Sequence, residues 1–596
     1  MHTFEVWAPN AENIAVKIGN ALVPLERFEH GWWRGETESA RQGTEYWFVI
    51  DGGDPVPDPR SAWQPYGIDG ASRIVDHSAF PWTDQNWQPK PLSSAIIYEL
   101  HVGTFSRAGT FKSMAGHLDH VVELGITHVE LMPVNQFSGE WGWGYDGVNL
   151  YAPHHAYGTP DDLKQLVNAC HAKGLAVLLD VVYNHFGPAG CHVNKFGPYF
   201  TDAYKTPWGQ AVNLDHKGSR EVRRFLSDNA LMWLRDYHFD GLRLDAVHAF
   251  HDQSATHFLE YLSCEVDALA SQIGRHLVLI AESDLNDPRI VSSREAGGFG
   301  IDAQWSDDFH HALHTLLTGE RDGYYEDFGS LNQLAKSLQN PYVYDGAYSR
   351  YRDRLHGRRV TENSGHHFLG YAQTHDQIGN RPQGERLCHL LSPGRQKIAA
   401  ALVLTSPFVP MLFQGEEFGS SSPFQYFTQH ADPALAKMVS EGRRKEFITF
   451  GWNPNDVPDP QDAATFEHCK LNWDEVEHES HASVLGWYKE LIALRKSTSE
   501  LTDGRMDRVE VNFDAEAQWL VVKRGNVEVV CNLASDPQVI PVCFASPEVI
   551  CSEEHWKMRA GSIELPGDSV AILSGRRAER ASCSSLQQHL RQYATG

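Results

Sequence analysis

From about Ser93 onward the chain repeats one pattern: a short apolar run, a polar loop, then an amphipathic helix. Such alternation builds a parallel sheet, because parallel strands need a crossover long enough to hold a helix. Ala95-Ile-Ile-Tyr-Glu-Leu100, Ile126-Thr-His-Val-Glu-Leu131 and Ala176-Val-Leu-Leu-Asp-Val-Val182 read as the first three buried strands. Between the last two, Thr159 suits a helix cap, Pro160 the first turn and Gly174 the end, with Leu163, Leu166, Val167 and Cys170 on one face. A second helix, striped by Val222, Phe225, Leu226, Ala230, Trp233 and Leu234, leads into a strand ending at Asp245. Leu277 to Ala281, a run near Ala303, Phe368 to Tyr371 and Pro410 to Gln414 bring the count to eight, the number that closes this kind of barrel. The expected fold class is multidomain α/β, with a (β/α)8 TIM barrel over residues 91–500. A polar stretch with Gly and Pro after the third strand predicts a small inserted subdomain at about 186–218.

The flanks have a different period. Phe4-Glu-Val-Trp7 and Ile14-Ala-Val-Lys-Ile18 alternate, Trp32-Trp33 follows, and Tyr46-Trp-Phe-Val-Ile50 precedes the turn Asp51-Gly-Gly-Asp-Pro55. Short alternating strands between turns predict an N-terminal β-sandwich over 1–90, with its boundary in the proline-rich stretch from Pro81 to Pro91. Its tryptophans suit either core packing between two sheets or a sugar-binding platform. Alternation returns in Arg508 to Val511, Trp519 to Val522, Val527 to Val530 and Val570 to Leu573, which predicts a C-terminal antiparallel β domain over 501–575. Residues 576–596 read as a polar, frayed tail with some helix possible around Ser585 to Tyr593.

Composition narrows the partner. A formal net charge of −26 repels phosphate backbones and anionic membranes, so no nucleic acid and no membrane is expected, and a neutral ligand such as a sugar fits better. With 41% apolar residues the chain can still bury a large core. No basic leader with an apolar core opens the sequence, and no stretch approaches the ~20 apolar residues of a membrane span, which predicts a cytoplasmic protein. The nine cysteines include no Cys-x-x-Cys, so they signal neither a zinc site nor a disulfide framework.

Four segments carry chemistry: Asp180-Val-Val-Tyr-Asn-His185, Gly241-Leu-Arg-Leu-Asp-Ala-Val-His248, Ala281-Glu-Ser-Asp284 and Thr374-His-Asp-Gln-Ile-Gly-Asn-Arg381. They place Asp245, Glu282 and Asp376 each just after an apolar run, where a parallel barrel gathers its active-site side chains. Retaining glycosidic cleavage needs a carboxylate nucleophile and a carboxylic acid roughly 5 Å apart. Asp245 and Glu282 end consecutive strands and suit that pair, and Asp376 suits a third acid that holds hydroxyls and helps keep the acid protonated. Arg243 shares a strand face with Asp245 and can orient it; a buried ion pair with Asp180 is the structural alternative, and both can hold. His185 and His375 are candidates for bonding sugar hydroxyls, with a structural role equally open. Tyr145, in the Gly- and aromatic-rich loop Trp141-Gly-Trp-Gly-Tyr-Asp146, offers a stacking face or packs the loop. His310-His311 with Asp307-Asp308 is a weak metal constellation, since adjacent histidines point apart. Gly415-Glu-Glu417 suits a cation or the cleft wall equally.

Together the four ordered segments resemble those of the alpha-amylase family of glycoside hydrolases. The resemblance implies a retaining mechanism with Asp245 as nucleophile, Glu282 as general acid/base and Asp376 as the third acid. It also implies that Arg243, His185, His375 and Tyr145 bind the sugar in the cleavage subsite or position the nucleophile. The Trp7-Ala-Pro-Asn10 opening, Tyr98 to Phe105, Trp143 to Gly147, Trp305 to His311, Pro423 to Thr428 and Glu441 to Phe447 are similar to members that release trehalose from a chain end. That implies malto-oligosyltrehalose, a neutral oligosaccharide, as substrate, and an immunoglobulin-like, branching-enzyme-like N-terminal sandwich. A glycogen or starch branching enzyme and an alpha-amylase-type hydrolase use the same acids and remain alternatives. Ser283-Asp284 falls where relatives vary, so neither residue receives a role. Many relatives bind calcium, but no clear ligand set is present, so no metal or other cofactor is expected; a monomer or homodimer is.

Overall fold

The computed structural model describes residues 2–448, 453–544, 547–552 and 555–575. Eight strands close a barrel: β1 (Ile97–Leu100), β2 (His128–Leu131), β3 (Ala176–Val181), β4 (Gly241–Leu244), β5 (Val278–Ala281), β6 (Ala303–Trp305), β7 (Phe368–Gly370) and β8 (Val409–Phe413). Every neighbouring pair is parallel, and β8 returns to β1. A distinct buried cluster drawn from these strands, including Ile97, Leu178, Ile280, Leu369 and Met411, fills the barrel. On β1 to β4 the next inward position toward the C-terminal end is charged: Glu99, Glu130, Asp180 and Arg243, all buried. An apolar plug therefore supports a polar layer at the barrel mouth.

Local sequence explains the crossovers. Helix α1 (Pro160–Ala172) starts in a capping box in which Thr159 Oγ1 accepts from Asp162 N at 3.2 Å and Asp162 Oδ2 accepts from Thr159 N at 2.9 Å. It buries Leu163, Leu166, Val167 and Cys170. Helix α2 (Ser219–Asp236) buries Val222, Phe225, Leu226, Ala230, Trp233 and Leu234 and feeds β4, and α3 (Phe258–Ile273) links β4 to β5. The link from β5 to β6 departs from the repeat, carrying only a 3-10 turn at Arg294–Ala296. Helices α4 (Asp307–Thr318), α5 (Leu331–Gln339) and α6 (Pro393–Leu404) complete the later crossovers. Between β3 and α2 lies a hairpin of Phe200–Thr206 and Gly209–Val212.

The N-terminal strands form two antiparallel sheets, His2–Trp7 with Trp32–Thr37 and Glu26–Arg27, and Ile14–Ile18 with Ala21–Pro24, Glu45–Ile50 and Ser72–Arg73. Trp7 and Trp33 are buried and donate their indole N–H to backbone carbonyls of His30 and Ala8, so they pack rather than form a platform. Half-buried Trp32 joins this unit to the barrel by donating to Glu221 Oε2 at 3.0 Å.

At the C-terminal side, Val509–Asp514, Trp519–Arg524, Val527–Asn532, Ser569–Ser574 and Glu548–Cys551 form one sheet, and Gln538–Pro541, Ser562–Leu565 and Lys557–Arg559 another. A buried arginine of the first sheet, Arg524, fastens it to the barrel beside Arg495 of the barrel's last helix, Glu479–Ser497. Arg524 Nη1 donates to the carbonyls of Thr405, Ser406 and Leu501, and Arg495 donates to those of Leu404, Ser406 and Phe408, at 2.7–3.0 Å. The carbonyls of Leu404, Thr405 and Ser406 end α6, where guanidinium groups satisfy unpaired acceptors and the helix dipole. Residues 576–596, with the helix expected around Ser585 to Tyr593, lie outside the described residues.

Candidate active site

Asp245 and Glu282 directly follow β4 and β5, so the parallel register of those strands brings them side by side. Asp376 does not end a strand. It sits in the first turn of a short helix, His375–Gly379, whose cap Thr374 accepts from Asp376 N at 3.2 Å. Tyr145 and His185 come from the loops after β2 and β3, and Arg243 from β4. These six and His375 line one cleft of about 490 Å³.

Arg243 organises it. Its Nη1 donates to Asp180 Oδ2 at 2.9 Å and Asp245 Oδ1 at 2.7 Å, while Nη2 lies 3.7 Å from Glu282 Oε2. The indole of Trp305 lies beneath the guanidinium, 4.4 Å from ring centre to carbon, a cation–π contact that fixes its plane. Asp180 serves as the buried ion-pair partner and also accepts from Tyr145 OH at 2.6 Å. The Tyr145 ring stacks on His375 at 5.2 Å, and its hydroxyl lies 2.8 Å from His375 Nε2. Glu99 of β1 holds the other side of His375, contacting Nδ1 and accepting from the backbone N at 3.1 Å. His185 stacks on Trp208 of the inserted hairpin at 4.9 Å, nearly parallel. Asp376 Oδ1 accepts from Asn380 Nδ2 at 2.8 Å, and Asn380 is held in turn by Arg443 Nη1 at 3.1 Å.

Charge states diverge within this small volume. Burial pushes Glu282 well above the usual carboxylate range; Arg243 opposes this, and Asp245, Asp307 and Asp376 reinforce it. Burial likewise pushes Asp180 up to about 6 despite Arg243. Burial disfavours charge on His375, but Glu99 outweighs it and raises the ring above its ordinary value. His185 is lowered by burial and stays neutral at pH 7. A neutral carboxylic acid thus faces a carboxylate held by an arginine, an arrangement suited to acid catalysis at a glycosidic oxygen with nucleophilic attack at carbon.

Other constellations fall outside the cleft. Glu417 is buried, accepting from Tyr98 OH at 3.0 Å and contacting His120 Nε2 at 2.8 Å, and Glu416 accepts from Tyr488 OH at 2.9 Å. Both carboxylates brace the barrel behind β8 rather than lining the cleft. His310 and His311 are buried on α4, and among the described residues no cluster of three or more metal-binding side chains occurs. Sequence reasoning missed Glu99, Trp208, Trp305 and Asp307. Glu99 had a signal, a charge inside an otherwise apolar strand. Trp305 sits in a segment singled out only for its resemblance, and Asp307 enters the sequence reading only as part of a weak metal constellation.

A closed parallel barrel whose mouth gathers paired carboxylates in one cleft is the arrangement of a barrel glycoside hydrolase. The family model described as alpha amylase, catalytic domain, matches residues 80–197, and one for a domain of unknown function, DUF3459, matches 504–572. The chain is 46% identical to the malto-oligosyltrehalose trehalohydrolase of Mycobacterium tuberculosis, across 98% of this chain and 100% of that one. A 1,4-alpha-glucan branching enzyme of Vibrio parahaemolyticus is 32% identical over 52% of this chain and 46% of its own length. A crystal structure described as an alpha amylase from Salmonella typhimurium superposes with TM-score 0.89 at 34% identity, covering 96% of this chain and 97% of that one. The chain belongs to the malto-oligosyltrehalose trehalohydrolases within the alpha-amylase family.

Proposed function

We propose that the protein hydrolyses the alpha-1,4-glucosidic bond next to the terminal trehalose of malto-oligosyltrehalose, with retention, and releases trehalose. Glu282 gives its proton to the glycosidic oxygen as the Asp245 carboxylate attacks the anomeric carbon, and trehalose leaves from a glucosyl–Asp245 ester. Glu282, now ionised, takes a proton from water, whose oxygen attacks the same carbon and frees the shortened chain and Asp245. Asp376 grips hydroxyls of the sugar being cleaved, and Arg243, His185, His375 and Tyr145 bind that sugar or orient Asp245. The observation that carries this is Arg243, whose one guanidinium contacts both Asp245 and Glu282.

The substrate follows from likeness along nearly the whole chain to a trehalohydrolase, against likeness over about half of it to a branching enzyme. We propose a cytoplasmic enzyme, monomer or homodimer; among the described residues no helix is long and apolar enough to cross a membrane. We also propose units of 1–90, 91–500 with 186–218 inserted, and 501–575. Release of trehalose from maltotriosyl-trehalose, measured against glucose and maltose from maltopentaose, tests the substrate. Equal efficiency on both refutes trehalose selectivity, and new alpha-1,6 branches from amylose would favour a branching enzyme.

A further inference from the structure

The turn after Asp245 has an unusual backbone. Ala246 adopts φ 42° and ψ 51°, a left-handed conformation that L residues other than Gly, Asn and Asp rarely enter. Around it, three backbone groups clasp Glu282. Glu282 N donates to Leu244 O at 3.0 Å, Val247 N donates to Glu282 O at 3.0 Å, and Ala246 N donates to Glu282 Oε2 at 2.7 Å. The first bond continues the sheet; the other two reach Glu282 from the turn itself. Oε2 is also the oxygen facing Arg243 Nη2.

An amide donor on one carboxyl oxygen, with the Arg243 guanidinium 3.7 Å from the same atom, has a chemical consequence. An oxygen that accepts an N–H bond cannot direct a hydroxyl along the same line, so the carboxyl proton goes to the other oxygen. We propose that Ala246 is a positioning residue: its left-handed backbone aims its amide at Glu282 Oε2, leaving Oε1 to give a proton to the substrate and later take one from water. This rests on Glu282 being the acid/base. The groups facing Glu282 are Arg243 and Asp245 from the β4 side, Asp307 at the start of α4, and Asp376 from the helix after β7. An amide donor adds to Arg243 in favouring the ionised form. Deleting it therefore moves the alkaline limb of the kcat/KM profile to higher pH.

Ala246 is only 4% exposed, so the cleanest perturbation leaves its methyl alone. Replacing Ala246 by lactic acid through nonsense suppression turns one amide into an ester and deletes only the N–H. With maltotriosyl-trehalose, kcat falls about 100-fold, the cost of a misplaced catalytic group, and KM holds. First-turnover fluoride release from alpha-maltosyl fluoride, whose leaving group needs no proton, holds too. Ala246→Val keeps the N–H but disfavours positive φ, gives the same split, and serves if the ester variant does not fold. Ala246→Gly can hold the conformation and keeps parental values. A folded ester or Val variant with parental kcat and alkaline limb overturns the proposal, as does one whose fluoride release falls in step with kcat. Failure of the underlying reading is separate: it appears as near-normal turnover in Glu282→Gln.

Discussion

Arg243 touches three carboxylates at once, so Arg243→Lys separates its charge from its shape. A lysine ammonium can replace Nη1 on Asp180 and Asp245, but as a single point it leaves the Glu282 side empty and loses the planar stack on Trp305. The Glu282 side is an ion pair at 3.7 Å rather than a hydrogen bond, so the loss is set by the desolvated cation–π contact, about 1–2 kcal/mol. Felt wholly in the transition state, that is roughly a 5- to 30-fold fall in kcat. Steady-state kinetics on maltotriosyl-trehalose should show the fall with KM little changed, and thermal unfolding should stay near the parent because the positive charge remains. Arg243→Met differs: it strands buried carboxylates and should cost about 3–5 kcal/mol of stability. A folded Arg243→Lys enzyme with kcat within about twofold of the parent would refute the claim that the fork aligns the acids.

Asp307, pushed up to about 6 by burial, is ionised above that pH and is among the charges that keep Glu282 protonated. Asp307→Asn removes it, so Glu282 loses its proton at lower pH and the alkaline limb of activity moves down; an unmoved limb counts against the coupling. Trp208→Ala removes the stack on His185, about 0.5–1.5 kcal/mol, and should raise KM roughly 2- to 12-fold, read by initial rates. Glu417→Leu strands Tyr98 OH and His120 and should lower stability by about 3–5 kcal/mol in denaturant melts while kcat holds. Dialysis against a chelator should leave kcat unchanged, and a loss restored by a divalent cation would reveal a metal requirement.

The barrel is legible because each buried strand is a compact apolar run that stops where chemistry begins, as at Leu244-Asp245 and Ala281-Glu282. Local capping signals also suffice for α1, where Thr159 and Pro160 start the helix. Three kinds of feature escape. Asp376 belongs to a helix cap rather than a strand end, since Thr374 supplies the side-chain acceptor. Trp208 reaches His185 from a hairpin whose position depends on the barrel, not on its own residues. The strands Gln538–Pro541, Glu548–Cys551, Lys557–Arg559 and Ser562–Leu565 are three or four residues long, too short for alternation to register. Glu416 and Glu417 are ambiguous because their partners, Tyr488, Tyr98 and His120, are distant in the chain.

Arg524 ties the barrel to the C-terminal β domain, at carbonyls that Arg495 of the barrel's last helix also holds. Both donate to carbonyls between the end of α6 and β8, the strand that closes the ring against β1, but only Arg524 does so from the C-terminal sheet. Severing the chain near residue 500 would unbuckle that closure: α6 would lose the Arg524 cation at its carbonyl end, and Arg495 would hold it alone. A catalytic half therefore cannot be shuffled between proteins as a free cassette. Recombination that exchanges it must carry the C-terminal sheet along, or supply another cation to the same carbonyls.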